Sequence, residues 1–405
     1  MRYLTLLFPL FLSAQQITLV DKSTHQPLAK AQFIQNHKMT LSDSRGGVNF
    51  EPSKTKQVHV KAYGYRPFTW DVNTSAEVLE IEPIKVKALY LSFWGASPKT
   101  KTFKNAMNII DTTEANALVI DVKSEQGMMS YKTNVKAASA MDAHYNRTIK
   151  DIDTYMKDLK AKKVYTIARI VCFKDELSAS HHPDRAVKRS DGTVWRNAAK
   201  MAWVDPFNPD AQDYIISIAI DAAQKGFDEI NFDYVRFPAK SDLVFSQDNI
   251  QENRLKAIDH FIQKASIRLR PYGAFLSVDT YGYVAWNTKN DTNIGHKTEV
   301  LAKHADYLAP MLYPSGFNRG ILGIEDPAQE PYRIVKATLL KMQKRVDPVR
   351  LRPWLQYFKD YAFSRQHYND FEIKEQIRAA DDTNCSGWML WNPSSRYNRG
   401  GLVKN

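Results

Sequence analysis

The stretch "GFDEINFDYVRFP", Gly226 to Pro238, reads as a short buried strand, yet it contains three carboxylates, an amide and an arginine. Side chains alternate along a strand, so Glu229, Asn231 and Asp233 share one face while Ile230 and Phe232 take the other. The apolar pair suits packing against helices, which leaves the polar set pointing into an interior. A buried carboxylate without a partner is costly, and the sequence offers Lys123, Arg169 and Arg236 as cations to meet it.

Working outward, seven further apolar runs flank this one: "ALYLSFW" (88–94), "ALVIDVK" (117–123), "VYTIARIVCF" (164–173), "AFLSVDTYG" (274–282), "YLAPMLY" (307–313), "LRPWLQYF" (351–358) and "SGWMLWN" (386–392). Amphipathic segments such as "TIKDIDTYMKDLKAK", "AQDYIISIAIDAAQKG" and "ENRLKAIDHFIQKASIRL" separate them. Eight strands alternating with helices predict an α/β fold, a (β/α)8 TIM barrel over residues 88–405, with "EINFDYV" (229–235) as strand four. No Gly-rich phosphate loop follows the first strand, which argues against a nucleotide-binding sheet.

In such barrels the chemistry sits where the strands end. Those ends hold Asp121 and Lys123, Arg169 leading to Asp175, Asp233, Asp279, Tyr313, Trp354 and Gln356, and Trp391 with Asn392. Any one of them has an ordinary structural reading. Asp121 or Asp175 alone could cap a helix, Arg236 could pair a neighbouring acid, and the aromatics could be core. Seven successive strands placing polar or aromatic groups at one rim make the functional reading the stronger one.

Before the barrel, "QITLV", "AQFIQ", "GGVNF", "QVHVKA" and "EVLEIEPI" are short strand-like runs broken by turn clusters, and predict a small antiparallel β-sandwich over residues 15–87. The opening "MRYLTLLFPLFLSAQQ" has a basic residue, an apolar run and small residues Ser13 and Ala14. It reads as a cleavable signal peptide over residues 1–14, too short to span a bilayer, and predicts a periplasmic or secreted protein. The chain of 405 residues has a formal charge of +12, but the excess is spread along it without a basic tract or nucleic-acid motif. A solvated basic surface is the plainer reading; the functional one is contact with an acidic glycan or the cell envelope, the β-module offering a second route to the envelope. Cys172 and Cys385 would lie at opposite rims of the barrel, so two free thiols are expected.

Two acids on adjacent strands of an aromatic cleft suit glycosidic bond cleavage. One protonates the leaving oxygen while the other attacks the anomeric carbon or activates water. Asp233 and Asp279 are the leading pair, with Asp121 and Glu125 as substitutes. Asp233, near arginines, suits the nucleophile or base, and Asp279, in a more apolar setting, the acid. Lys123, Asp121, Arg169, Arg236, Tyr313, Trp354, Gln356 and Trp391 are the expected substrate-binding set, and the substrate class is a polysaccharide or oligosaccharide. The sequence has no HExxH, no His and Asp set at metal-ligand spacing and no GxSxG elbow, and His181 and His182 read as a solvated loop pair. No cofactor or metal is expected.

The boxes "VIDVKSEQG", "IARIVCFKDELSA", "WVDPFNP", "GFDEINFDYVRFP", "YLAPMLYPS", "PWLQYF" and "GWMLWN" resemble a bacterial glycoside hydrolase family of TIM barrels, long catalogued as a domain of unknown function. The resemblance implies a carbohydrate-active enzyme with Asp233 near its catalytic centre, and Asp121, Arg169, Asp279 and Gln356 in the cleft. Three positions depart from the pattern: Asn231 stands where a longer amide is usual, Gly316 where a His follows "YPS", and Tyr357 where an acid follows "WLQ". These bear on substrate contacts rather than on the fold. The series "LVDKSTHQPLAKAQF", "SDSRGGVNF" and "KAYGYRPF" is similar to carboxypeptidase regulatory-like, prealbumin-type modules. The expectation is therefore a secreted glycoside hydrolase; a glycan-binding protein that has lost cleavage, or an envelope scaffold, are the alternatives.

Overall fold

The computed structural model describes residues 15–50, 56–74 and 76–404. The signal-peptide reading of residues 1–14 lies outside them. The chain forms two compact units, one ending at Pro83 and the next beginning at Ile84.

The first unit is built from β1 (Gln15–Asp21), β2 (Gln32–Gln35), β3 (Lys38–Leu41), β4 (Gly47–Phe50), β5 (Gln57–Lys61), β6 (Phe68–Asp71) and β7 (Val78–Ile81). Four of these strands form an antiparallel sheet in the order β3-β2-β5-β6, and three form a sheet in the order β4-β1-β7. The unit is built from antiparallel pairings, as expected, with β1 and β7 running parallel. Ile17, Leu19, Phe33, Val58, Val60, Trp70 and Ile81 supply its core at alternate strand positions. Two strands are additional to the expected runs. β3 is exposed throughout, so no apolar alternation marks it; a turn at Asn36 and His37, both at positive φ, pairs it with β2.

The second unit is a closed barrel of eight parallel strands: β8 (Val86–Leu91), β9 (Ala117–Lys123), β10 (Tyr165–Val171), β11 (Glu229–Asp233), β12 (Phe275–Tyr281), β13 (Tyr307–Leu312), β14 (Trp354–Gln356) and β15 (Gly387–Trp391). They follow one another in chain order, with β15 pairing β8 to close the ring. Each overlaps its expected run: β8 starts two residues earlier, β9 matches its run, and the other six are shorter, since the last residues of several runs turn away to build the rim. Helices form where the amphipathic segments predict them, and their starts are fixed by local chemistry. Asp151 accepts the Thr154 N–H ahead of Ile152–Ala161, and Asn208 accepts the Ala211 N–H ahead of Pro209–Gln224, whose first residue is a proline. The described residues after β15 contain no helix.

Ile230 and Phe232 face outward as the alternation requires, and the Phe232 ring stacks on Phe261 of the helix Gln251–Leu269 at 5.3 Å. Inside the barrel, Val86, Ala88, Ala117, Val119, Ile167 and Met389 fill the space beneath Tyr90 and Trp354. Cys172 and Cys385 are both buried and free. No helix among the described residues is long and apolar enough to cross a membrane.

Candidate active site

The register of β11 decides what its polar residues do. Glu229 starts the strand and pairs with Arg352 at 2.6 Å while accepting the Tyr165 hydroxyl at 2.9 Å. Asp228 accepts the Thr166 N–H and hydroxyl and pairs with Lys160. These two carboxylates therefore tie the barrel together at the strand's beginning. Asn231 and Asp233 belong to the other end.

Asn231 pairs in register with Ser277 of β12, and Phe232 with Val278. One step further along the two strands stand Asp233 and Asp279, at a strand spacing of about 4.8 Å. Arg169 of β10 bridges two acids: its Nη1 donates to Asp121 Oδ1 at 2.5 Å, while Nε at 3.1 Å and Nη2 both donate to Asp233 Oδ2. The guanidinium also lies 4.9 Å over the Trp391 ring. Asp121 is further held by the Tyr90 hydroxyl at 2.6 Å and the Phe93 N–H. Burial pushes the Asp121 carboxyl above its usual range, against the pull of Arg169.

Asp279 lives in different surroundings. Its Oδ1 accepts the Trp354 indole N–H at 2.7 Å and the Asn231 amide at 2.8 Å, whereas Oδ2 has no protein partner among the described residues. Burial, and then the nearby Asp233 charge, raise its pKa well above the usual carboxylate value despite those two donors. The pair thus combines one carboxylate locked to an arginine with one held towards its protonated form.

Around them opens a cavity of about 420 Å³, lined by Arg169, Asp233, Asp279, Tyr313, Trp354 and Trp391 together with Tyr234, Arg236 and Tyr281. A second cavity of about 250 Å³ adjoins it across Arg169, Tyr234 and Trp391, and includes Tyr90, Trp94, Asp121 and Glu125. The first of these volumes suits a sugar-sized ligand. Trp391 stacks on Tyr90 at 4.0 Å and meets Trp354 edge-on, so the wall between the cavities is made of packed aromatic rings.

Two expected site residues lie elsewhere. Lys123 is fully buried, pairs with Asp175 at 2.8 Å and donates to the Val171 carbonyl. Gln356 is fully buried and donates to the Ser315 hydroxyl and the Phe358 carbonyl. Neither lines either of these two cavities. Arg236, expected to meet an acid, stacks on Trp203 and Tyr234 instead. His181 ends the helix Glu176–His181 and is exposed, rather than lying in a loop. Among the described residues no group of three His, Cys, Asp or Glu is placed to hold a metal ion.

Sequence reasoning passed over Tyr90, Tyr234, Tyr281 and Trp94. Tyr90 could have been found from the period of two in β8, which puts it on the inner face with Ala88. Tyr234 has a left-handed backbone, φ 49°, which is unusual for a bulky residue and which no sequence pattern announces. That turn lets its N–H donate to Asp233 Oδ1 and sets its ring between the two cavities.

A (β/α)8 barrel with paired acids in an aromatic cleft at its strand ends has the arrangement that glycosidases use. Residues 88–397 match the family model described as "Putative glycosyl hydrolase domain", and the chain belongs to that family. Among solved structures, the PgaB (BpsB) glycoside hydrolase domain from Bordetella bronchiseptica is similar, with 12% identity and a TM-score of 0.58 over 77% of this chain and 95% of that one. A class V chitinase from Pseudomonas fluorescens Pf-5 follows the same fold, with 11% identity and a TM-score of 0.50 over 78% and 97%. A hypothetical protein from Ruminiclostridium thermocellum is 33% identical over 47% of this chain and 96% of its own, with a TM-score of 0.42. No curated protein matches the sequence.

Proposed function

We propose that this chain is a glycoside hydrolase that cleaves a cell-envelope or extracellular polysaccharide with Asp279 as proton donor and Asp233 as nucleophile or base. The observation that supports it best is the contrast between the two acids: Asp279, buried and pushed towards its neutral form, stands beside Asp233, which is locked to Arg169. A neutral carboxyl with one oxygen free towards a cavity can protonate a glycosidic oxygen. Arg169 and the Tyr234 N–H fix Asp233 for attack on the anomeric carbon or on a water. Asp121, Tyr313 and Trp391 would then position the sugar, and the adjoining cavity with the exposed Trp94 would receive the next residue of the chain. The first 14 residues as a secretion signal, and the β-module as a docking unit, complete this reading.

Purified protein incubated with envelope and exopolysaccharides should release reducing ends, and Asp233→Asn should stop that release without changing the melting temperature by more than a few degrees. Full turnover by that variant would remove Asp233 from the mechanism. Tight glycan binding with no product from the unaltered chain would favour a binding protein instead.

A further inference from the structure

Cations at the barrel's interior and rim are matched to acids almost one by one. Arg169 holds Asp121 and Asp233, Lys123 holds Asp175, Lys174 holds Glu125 and Arg352 holds Glu229. Arg236 differs from these four. It lines the cavity that contains Asp233 and Asp279, yet it forms no ion pair among the described residues: Asp233, whose charge reaches it, is paired to Arg169.

The side chain is nevertheless held in place. Its guanidinium sits 5.1 Å from both the Trp203 and Tyr234 ring centres, and Nη1 donates to the Phe237 carbonyl at 3.1 Å. That leaves the Nε and Nη2 edge without a protein acceptor among the described residues, on a half-buried side chain at a cavity wall. This edge presents two parallel N–H groups, the geometry that matches a carboxylate or a phosphate bidentately. Burial lowers the Arg236 pKa from its ordinary value against the opposing pull of Tyr234 and Asp233, so a further anion at the fork would offset the desolvation. The chain's net charge of +12 adds a long-range field that draws in polyanions.

We infer that Arg236 is the receptor for an oxyanion borne by the substrate sugar, so that the preferred glycan is acidic, with a uronate carboxylate or a phosphate ester on the residue bound in this cavity. The inference rests on the glycan-cleft reading above and names its substrate class.

The test uses the full chain with Asp279→Asn to block turnover, and titration calorimetry with three oligosaccharides of equal length: an oligogalacturonate, a phosphate-bearing glycan and a neutral chito-oligosaccharide. At least one acidic ligand should bind about tenfold or more tighter than the neutral one. Adding Arg236→Gln should erase that preference, and Arg236→Lys should erase most of it because an ammonium lacks the fork; a melting scan of each variant shows that it is folded. Equal binding of acidic and neutral ligands overturns the inference, as does a preference that survives in both Arg236 variants or binding of neither acidic ligand. Whichever acidic ligand depends on Arg236 identifies carboxylate or phosphate as the source. Absence of product from the unaltered chain would instead count against hydrolysis, and leaves the binding preference readable.

Discussion

Asp279 concentrates both of its donors on one oxygen, and this has kinetic consequences. A group that must be protonated to act loses activity as pH rises through its folded-state pKa, so the alkaline limb of the pH profile should belong to Asp279 and lie above the ordinary carboxylate range. Asp279→Asn should lower kcat by about 10²- to 10⁴-fold on natural leaving groups and far less on activated aryl glycosides, which need no proton. Asp233→Asn should cost about 10³-fold or more on both kinds of substrate. Trp354 acts through Asp279. Its indole N–H favours the charged carboxylate, so Trp354→Phe should move the alkaline limb to higher pH while lowering kcat. An unmoved limb in that variant, measured on the same substrate, would reduce Trp354 to packing.

Elements deliver these residues with differing legibility. The strands of the barrel were readable because each is a buried run bounded by amphipathic helices, and strict alternation along β11 separates Ile230 and Phe232 from Asn231 and Asp233. What the pattern could not give was the end of the barrel that each polar residue faces. Glu229 and Asp233 share a face yet stand at opposite ends of β11, one a structural tie to Arg352 and the other in the cleft. Lys123 and Asp175 do lie at the rim end, but a register shift after Asp121 sets Lys123 opposite Ile170, on the side that packs against the helices. Asp175 caps the helix Glu176–His181 by accepting the Ser178 N–H, and Lys123 neutralises it in full burial. Gly127 lies against this cap at φ +87°, where an added Cβ would fall 2.3 Å from Asp175 Oδ1. Removing one partner of a buried pair strands the other charge, so Lys123→Met should destabilise the barrel by about 3–5 kcal/mol in denaturant unfolding. Lys123→Met with Asp175→Asn should recover part of that loss. A loss under about 1 kcal/mol for the single variant would mean that solvent reaches the pair.

At the scale of the whole molecule, two buried groups set opposing pH dependences. His296 is enclosed, donates from Nε2 to the Val235 carbonyl at 3.0 Å, and burial lowers its pKa to about 4. An unfolded histidine takes up a proton near pH 6.5, so between about 6.5 and 4 the unfolded chain binds the proton that the folded one refuses. Stability from His296 is therefore complete above pH 6.5 and drains away as the pH falls towards 4, by roughly 3 kcal/mol in all. Asp279 works the other way. Its folded pKa lies above its unfolded one, so stability falls as pH rises from about 4 towards that raised value. The two partly cancel across this window, while the carboxylates remote from Asp279 act equally in every variant and drop out of a comparison. Asp279→Asn should therefore melt higher than the parent at pH 7, and its melting temperature should climb more steeply between pH 4 and 6.5. His296→Gln should flatten or reverse that climb. Parallel melting curves for all three proteins would show that neither group stays buried in its unfavoured charge state, and that the site spends no stability on keeping Asp279 neutral.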